Sequence, residues 1–259
     1  MGTIHVADLD VHYEQQGNGP PLVLVHGGFV DRQMWDAQVA AFSDDNQVLC
    51  YDLRGHGLTG PSLRSHYTVE LLAEDLKGLL DALGLGHVTL CGLSLGGMIA
   101  QAFAARHSER LTALVLADTA ISTTYTLSDN LQTHLLAPSW ATLPLIRSLG
   151  ADCWVRLSFW LAGRSRNDKW FGQDEATSAY VKVYGALYAF RDQDLLGMKV
   201  PTLLLNGEYK PANIFRHTER LEALLPQATS ATIPGAGHTS NMENALAFNT
   251  FLKTFLEQL

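Results

Sequence analysis

Cysteine is scarce. Cys50, Cys91 and Cys153 are the only three in 259 residues. So small and odd a number excludes a disulfide framework, and the lack of CxxC or HExxH excludes the usual zinc spacings. Basic charge is scarce too. The 18 Lys and Arg residues against 26 Asp and Glu leave a net charge of −8. That balance argues against nonspecific nucleic-acid binding, which needs a basic surface. Long apolar runs are also missing. The most apolar long stretch, 135–163, is broken by Arg147, Asp152 and Arg156, so no membrane span is expected. The opening MGTIHVADLD has neither a basic nor an apolar leader region, and Val6 stands where a myristoylation pattern needs Ser or Thr. The expectation is a soluble, cytoplasmic protein with no metal, no cofactor, no nucleic acid and no membrane. Its partner would be a small-molecule substrate, and its oligomeric state is open.

What is present is ordinary globular material. At 47% hydrophobic and 17% charged, the chain holds enough apolar residues for a sizeable core. Its pattern alternates short apolar runs with helical periodicity. Residues 3–26 read as strands, ending in LVLV after the turn GNGPP. VLCY, VTLCG, ALVLAD and TLLLNG follow as buried strands, with another near 229–233. Helices are predicted over 32–42, 68–84 with Thr68 as N-cap, 95–107, 213–225 and 242–257. Strands apolar on both faces and separated by helices indicate a parallel sheet covered on both sides.

One segment breaks the alternation. Residues 122–196 hold 11 of the 23 aromatics and four of the five tryptophans, while their seven acidic and seven basic residues cancel. So small a piece cannot bury so many rings alone. It is expected to be a helical insertion whose rings face the main body across an apolar cleft.

Three motifs carry chemistry. Gly92-Leu93-Ser94-Leu95-Gly96-Gly97 lies between the strand VTLC and the helix MIAQAFAARH. GxSxG in that setting is a nucleophile elbow, a tight turn that presents the serine at a helix N-terminus. Val25-His26-Gly27-Gly28-Phe29 follows the first buried strand. With the Leu95 N–H, the Gly28 N–H is the expected oxyanion donor, Phe29 being the fallback. Gly235-Ala236-Gly237-His238 follows the last strand, where a general base belongs when the order runs serine, acid, histidine. His26 and His56 read as structural. His5, His12, His66, His87, His107, His134 and His217 read as polar or surface residues.

HGG at 26–28, YDLRGHG at 51–57, GLSLGGMIAQ at 92–101 and GAGH at 235–238 together resemble the α/β-hydrolase superfamily, in its esterase and enol-lactonase-like branch. The resemblance implies an α/β fold with a mostly parallel eight-stranded sheet flanked by helices. The core would be 1–121 and 197–259, with a helical cap at 122–196. It further implies a Ser–His–acid triad without a cofactor. Phe29, Trp140, Trp154 and Trp160 are the expected substrate-binding residues.

The pattern is broken at the acid. The family places an aspartate after the strand reading TLLLNG, but Lys210 stands there. A lysine cannot accept the imidazole N–H, and it disfavours an imidazolium. Either the acid has moved to Asp118 at the end of ALVLAD, or Glu208 swings in, or Ser94 and His238 work as a dyad. The favoured reading is a serine hydrolase with Ser94, His238 and Asp118, cleaving a small to medium apolar ester or lactone through an acyl-enzyme. The alternatives are a ligand-binding protein on a hydrolase fold, and a cofactor-free lyase or C–C hydrolase using the same Ser–His pair.

Overall fold

The computed structural model describes residues 1–136, 142–149, 153, 177–209 and 212–259. Eight strands form one sheet: β1 (Gly2–Val6), β2 (Leu9–Gln16), β3 (Pro21–Val25), β4 (Gln47–Tyr51), β5 (Val88–Leu93), β6 (Leu111–Ala117), β7 (Thr202–Gly207) and β8 (Thr229–Ile233). Their order is β1-β2-β4-β3-β5-β6-β7-β8. β2 runs antiparallel to β1 and β4, and every other pairing is parallel. Every residue of β5 and β7 is buried. That two-sided burial is why these strands read as continuous apolar runs rather than alternating ones.

Helices α1 (Asp36–Phe42), α2 (Val69–Ala82) and α3 (Leu95–His107) connect the first strands. Thr68 caps α2 as expected, its Oγ1 accepting the Leu71 N–H at 3.1 Å. Beyond the C-cap Leu83, Gly84 takes the left-handed conformation with φ +68°. α3 is buried at every position from Leu95 to Ala104. It lies against β5 and β6 on one side and α2 on the other. The C-terminal helix packs on β7 and β8, with its Phe248 ring 6.0 Å from that of Trp35.

Two predicted helices are each divided. Over 32–42 the chain makes a 3-10 turn, Arg32–Trp35, before α1 begins. Over 242–257 a single turn comes first, followed after Asn244 by the long helix Ala245–Leu256. Asn244 leaves helical geometry at φ −141°, ψ 70°, and its side chain caps the second helix at the Ala247 N–H. A polar residue that competes for backbone N–H groups ends one helix and starts the next.

Between β6 and β7 lie α4 (Leu127–Leu136), α5 (Leu143–Leu149) and α6 (Thr177–Ala189), and after β7 comes α7 (Ala212–Leu224). Thr126 and Asp129 open α4 as a reciprocal pair. Asp129 Oδ2 accepts the Thr126 N–H at 2.7 Å, and Thr126 Oγ1 accepts the Asp129 N–H at 3.1 Å. His217 of α7 departs from its surface reading. It is fully buried, with Nε2 3.1 Å from Asp129 Oδ2 and the Tyr125 ring 5.5 Å away. Contact with a distant helix buries it, and its polar sequence neighbours gave no sign of that. Among the described residues no helix is long and apolar enough to cross a membrane.

Candidate active site

Because β3, β5, β6, β7 and β8 are parallel, their carboxyl ends share one edge of the sheet. Ligand sites of open α/β sheets form at that edge. Here it carries the His26 loop, Ser94, Asp118, Glu208 and His238.

Ser94 sits between β5 and α3 with φ 55° and ψ −115°. A non-glycine residue in that region costs about 1–3 kcal/mol, so the surroundings must impose it. Ser94 N–H donates to the Ala117 carbonyl at 2.9 Å. Its own carbonyl accepts from Thr119 Oγ1 at 2.7 Å and from the Met98 N–H at 3.1 Å. The glycines around it are steric necessities. A methyl group on Gly92 would stand 2.2 Å from the Gly96 carbonyl oxygen, and one on Gly97 2.5 Å from Thr119 Cβ.

His238 Nε2 lies 2.9 Å from Ser94 Oγ, and His238 is only 5% exposed. The loop that carries it crosses Gly207, where a Cβ would meet the Gly237 carbonyl oxygen at 2.0 Å. Backbone bonds splice this loop to the end of β7: Glu208 N–H to Ile233 O at 3.1 Å and Tyr209 N–H to Ala236 O at 2.8 Å. The single-turn helix α8 (Ser240–Glu243) begins two residues beyond His238.

Asp118 follows β6 with φ +44° and is 1% exposed. Its N–H donates to the Leu205 carbonyl at 2.9 Å. Its carboxylate accepts the Gly207 N–H at 2.8 Å and the Ser240 hydroxyl at 2.5 Å. It thus stands at the meeting of β6, β7 and the segment after His238. Glu208 is engaged elsewhere: its Oε2 accepts the Gly235 N–H at 2.7 Å, at the start of the histidine loop.

Gly28 lies near the Leu95 side chain. A Cβ on Gly28 would meet Leu95 Cδ2 at 3.6 Å and Leu187 Cδ1 of α6 at 3.8 Å. Leu95 opens α3, and N–H groups in a first helical turn have no acceptor inside the helix. Phe29 takes φ +67° and is buried, its ring 5.0 Å from that of Tyr184 of α6. A narrow cleft here is bounded by Gly28, Val30, Met34, Leu93, Ser94 and His238. Trp140, Trp154, Trp160 and Lys210 lie outside the described residues.

His26 and His56 brace this floor. Leu53 N–H donates to His26 Nε2 at 2.9 Å, so the proton belongs on Nδ1, which donates to the Gly27 carbonyl at 2.6 Å. Burial pushes the His26 imidazolium down to about 4, and the same cause brings His56 to about 3. The two rings meet edge-on at 5.0 Å. Below them Arg54 is almost fully buried and bidentate to Asp75 at 2.7 and 2.6 Å. It reaches Asp8 at 3.0 Å and Ser62 Oγ at 2.6 Å. Asp52 accepts the Arg32 and Leu58 N–H groups and the Arg32 guanidinium.

Sequence reasoning did not single out Glu243. Its Oε2 accepts the Gly237 N–H at 2.9 Å, and its Oε1 accepts the Thr239 N–H at 3.2 Å and the Thr239 hydroxyl at 2.8 Å. The available signal was a carboxylate four residues after a threonine that opens a helical turn, a spacing close to that of a capping box.

Comparison with known proteins agrees with the fold. The chain is 25% identical to 3-oxoadipate enol-lactonase 2 of Acinetobacter baylyi, over 99% of this chain and 96% of that protein. An esterase from Thermogutta terrifontis, solved with malate bound, superposes with a TM-score of 0.82 at 26% identity, covering 100% of this chain and 99% of that one. The enol-lactonase of Burkholderia xenovorans LB400 gives a TM-score of 0.76 at 29% identity, covering 99% and 100%. The model of the alpha/beta hydrolase fold family matches residues 20–245, and the chain belongs to that family.

Proposed function

We propose that this hydrolase cleaves a small to medium, largely apolar carboxylic ester or lactone through an acyl-enzyme. The observation that carries the reading is the 2.9 Å approach of His238 Nε2 to Ser94 Oγ on a strained strand-to-helix turn. In the proposed cycle Ser94 Oγ attacks the acyl carbon, and the carbonyl π pair moves onto oxygen. His238 Nε2 takes the Ser94 proton and passes it to the departing alkoxide as the C–O bond breaks. Water then repeats the exchange, forming the acid and restoring Ser94. The Leu95 and Gly28 N–H groups hold the oxyanion. Supporting this are the nearness of Gly28 to Leu95 at the cleft that Ser94 and His238 bound, and relatives that include a lactonase and an esterase.

Asp118 is the proposed acid that orients His238. Its burial, and two donors that fix its carboxylate at the segment following the histidine, support that role. Glu208 is disfavoured because its carboxylate holds Gly235. Residues 122–196 are the proposed cap, with Phe29 and Leu187 on the substrate side of the cleft; Trp140, Trp154 and Trp160 remain proposed cap contacts.

A series of short p-nitrophenyl esters tests the reading. Ser94→Ala is expected to abolish turnover. Asp118→Asn should lower kcat by roughly 10³–10⁴-fold, as loss of a triad acid does. If Asp118→Asn retains the parent rate, the acid assignment falls and a Ser–His dyad replaces it. If Ser94→Ala retains it, the serine mechanism falls.

A further inference from the structure

We propose that Glu243 is a positioning residue for His238, a role that rests on the serine-hydrolase reading above. The carboxylate does more than close a helical turn. Its two oxygens take the N–H groups of Gly237 and Thr239, the residues on either side of His238, and the Thr239 hydroxyl as well. The Ala236–Gly237 and His238–Thr239 peptide units, which bracket the histidine, are therefore tied to one carboxylate. That group sits on α8, whose own first turn is closed by the Met242 and Glu243 N–H groups donating to the Thr239 carbonyl at 2.9 Å.

The loop needs such a tie. It contains Gly235 and Gly237, and Gly235 adopts φ +69°. Glycines lower the cost of many backbone conformations, so the sequence of this loop does not by itself hold the imidazole in one place. Glu208 fixes the loop at Gly235, three residues before the histidine. Glu243 spans His238 itself. A Cβ on Gly237 would lie 3.2 Å from Glu243 Oε2, so the close seat of the carboxylate also uses the missing side chain. The Nε2 to Oγ distance is set by where this backbone stands, and displacement of a catalytic group by about 1 Å costs on the order of 10²-fold in rate.

The alternative role is a brace that stabilises α8 and leaves catalysis alone. A double-mutant cycle separates the two. Glu243→Ala and Glu243→Gln are made in the parent and in His238→Ala, and kcat, KM and Tm are measured with one p-nitrophenyl ester. In the parent, Glu243→Ala is expected to lower kcat by about 10²-fold with KM changed less than about threefold. Glu243→Gln keeps the shape and one acceptor oxygen, so its loss should be about tenfold and it should fold even if the alanine variant does not. In His238→Ala, neither substitution should lower the residual rate further, because there is no imidazole left to position. An equal fractional loss in both backgrounds, or parental kcat in Glu243→Gln and Glu243→Ala, overturns the proposal and leaves a brace. Parental activity in His238→Ala itself would overturn the catalytic reading first, and the positioning role with it.

Discussion

A methyl group added to Gly96 would stand 2.1 Å from the Val25 carbonyl oxygen and 2.7 Å from that of His26. Both neighbours are backbone, so neither can rotate away, and α3 must withdraw from the end of β3. Overpacking of this kind costs about 1–3 kcal/mol and sometimes more. Gly96→Ala is therefore expected to lower the unfolding free energy from urea titration by an amount in the upper part of that range. It should also separate Leu95 from Gly28, so kcat should fall further than the loss of folded protein explains. Unchanged kcat per folded molecule would show that the two loops move together. The same glycines made Ser94 legible in the sequence, since few turns demand such spacing. His238 was legible for a similar reason. Glu243 was not, because a glutamate a few residues past a threonine opens many helices, and only the folded loop reveals which N–H groups it meets. His217 shows the converse error. Its sequence neighbours Arg216 and Glu219 are polar, while its burial comes from Asp129, far away in the chain.

The loops after β3 and β4 form a unit that depends on two neutral imidazoles. His26 must accept the Leu53 N–H, which an imidazolium cannot do. With folded values near 4 and 3, both rings bind protons far less readily than in the unfolded chain, where an imidazole titrates near 6.5. The contribution of this unit is therefore complete above about pH 6.5 and is lost as the pH falls toward 4 and then 3. Within that window each ring removes about 1.4 kcal/mol per pH unit. Urea midpoints should be flat between pH 7 and 8 and drop clearly by pH 5. A midpoint unchanged at pH 5 would mean that the rings protonate without unfolding. At this scale the strands and α2 were legible because apolar period and cap residues agree. The breaks at Trp35 and Asn244 were not, because an apolar stripe continues across both while the backbone changes geometry beneath it.

Taken whole, the molecule places its chemistry on turns and its rigidity in the sheet. The parallel order β4-β3-β5-β6-β7-β8 brings six loops to one edge. The alternation of strand and helix was enough to expect that arrangement, since parallel neighbours need crossover helices. It was not enough to choose an acid, because Asp118 and Glu208 follow adjacent strands and sequence alone does not say which carboxylate meets the histidine segment. The Asp118 contacts with Gly207 and Ser240 set its carboxylate beside that segment and support its proposal as the acid.

Ser94 and His238 are 144 positions apart in the chain yet within hydrogen-bonding distance. Cutting the polypeptide within 137–176 would leave Ser94 on one fragment and His238 on the other. β6 and β7, which pair directly, would then be the seam between the fragments. Each half alone should be inert toward a p-nitrophenyl ester, and mixing them should restore activity with a concentration dependence set by reassembly of that seam. Turnover in such a mixture would count rejoined sheets, making the enzyme a complementation reporter for whatever brings its two halves together.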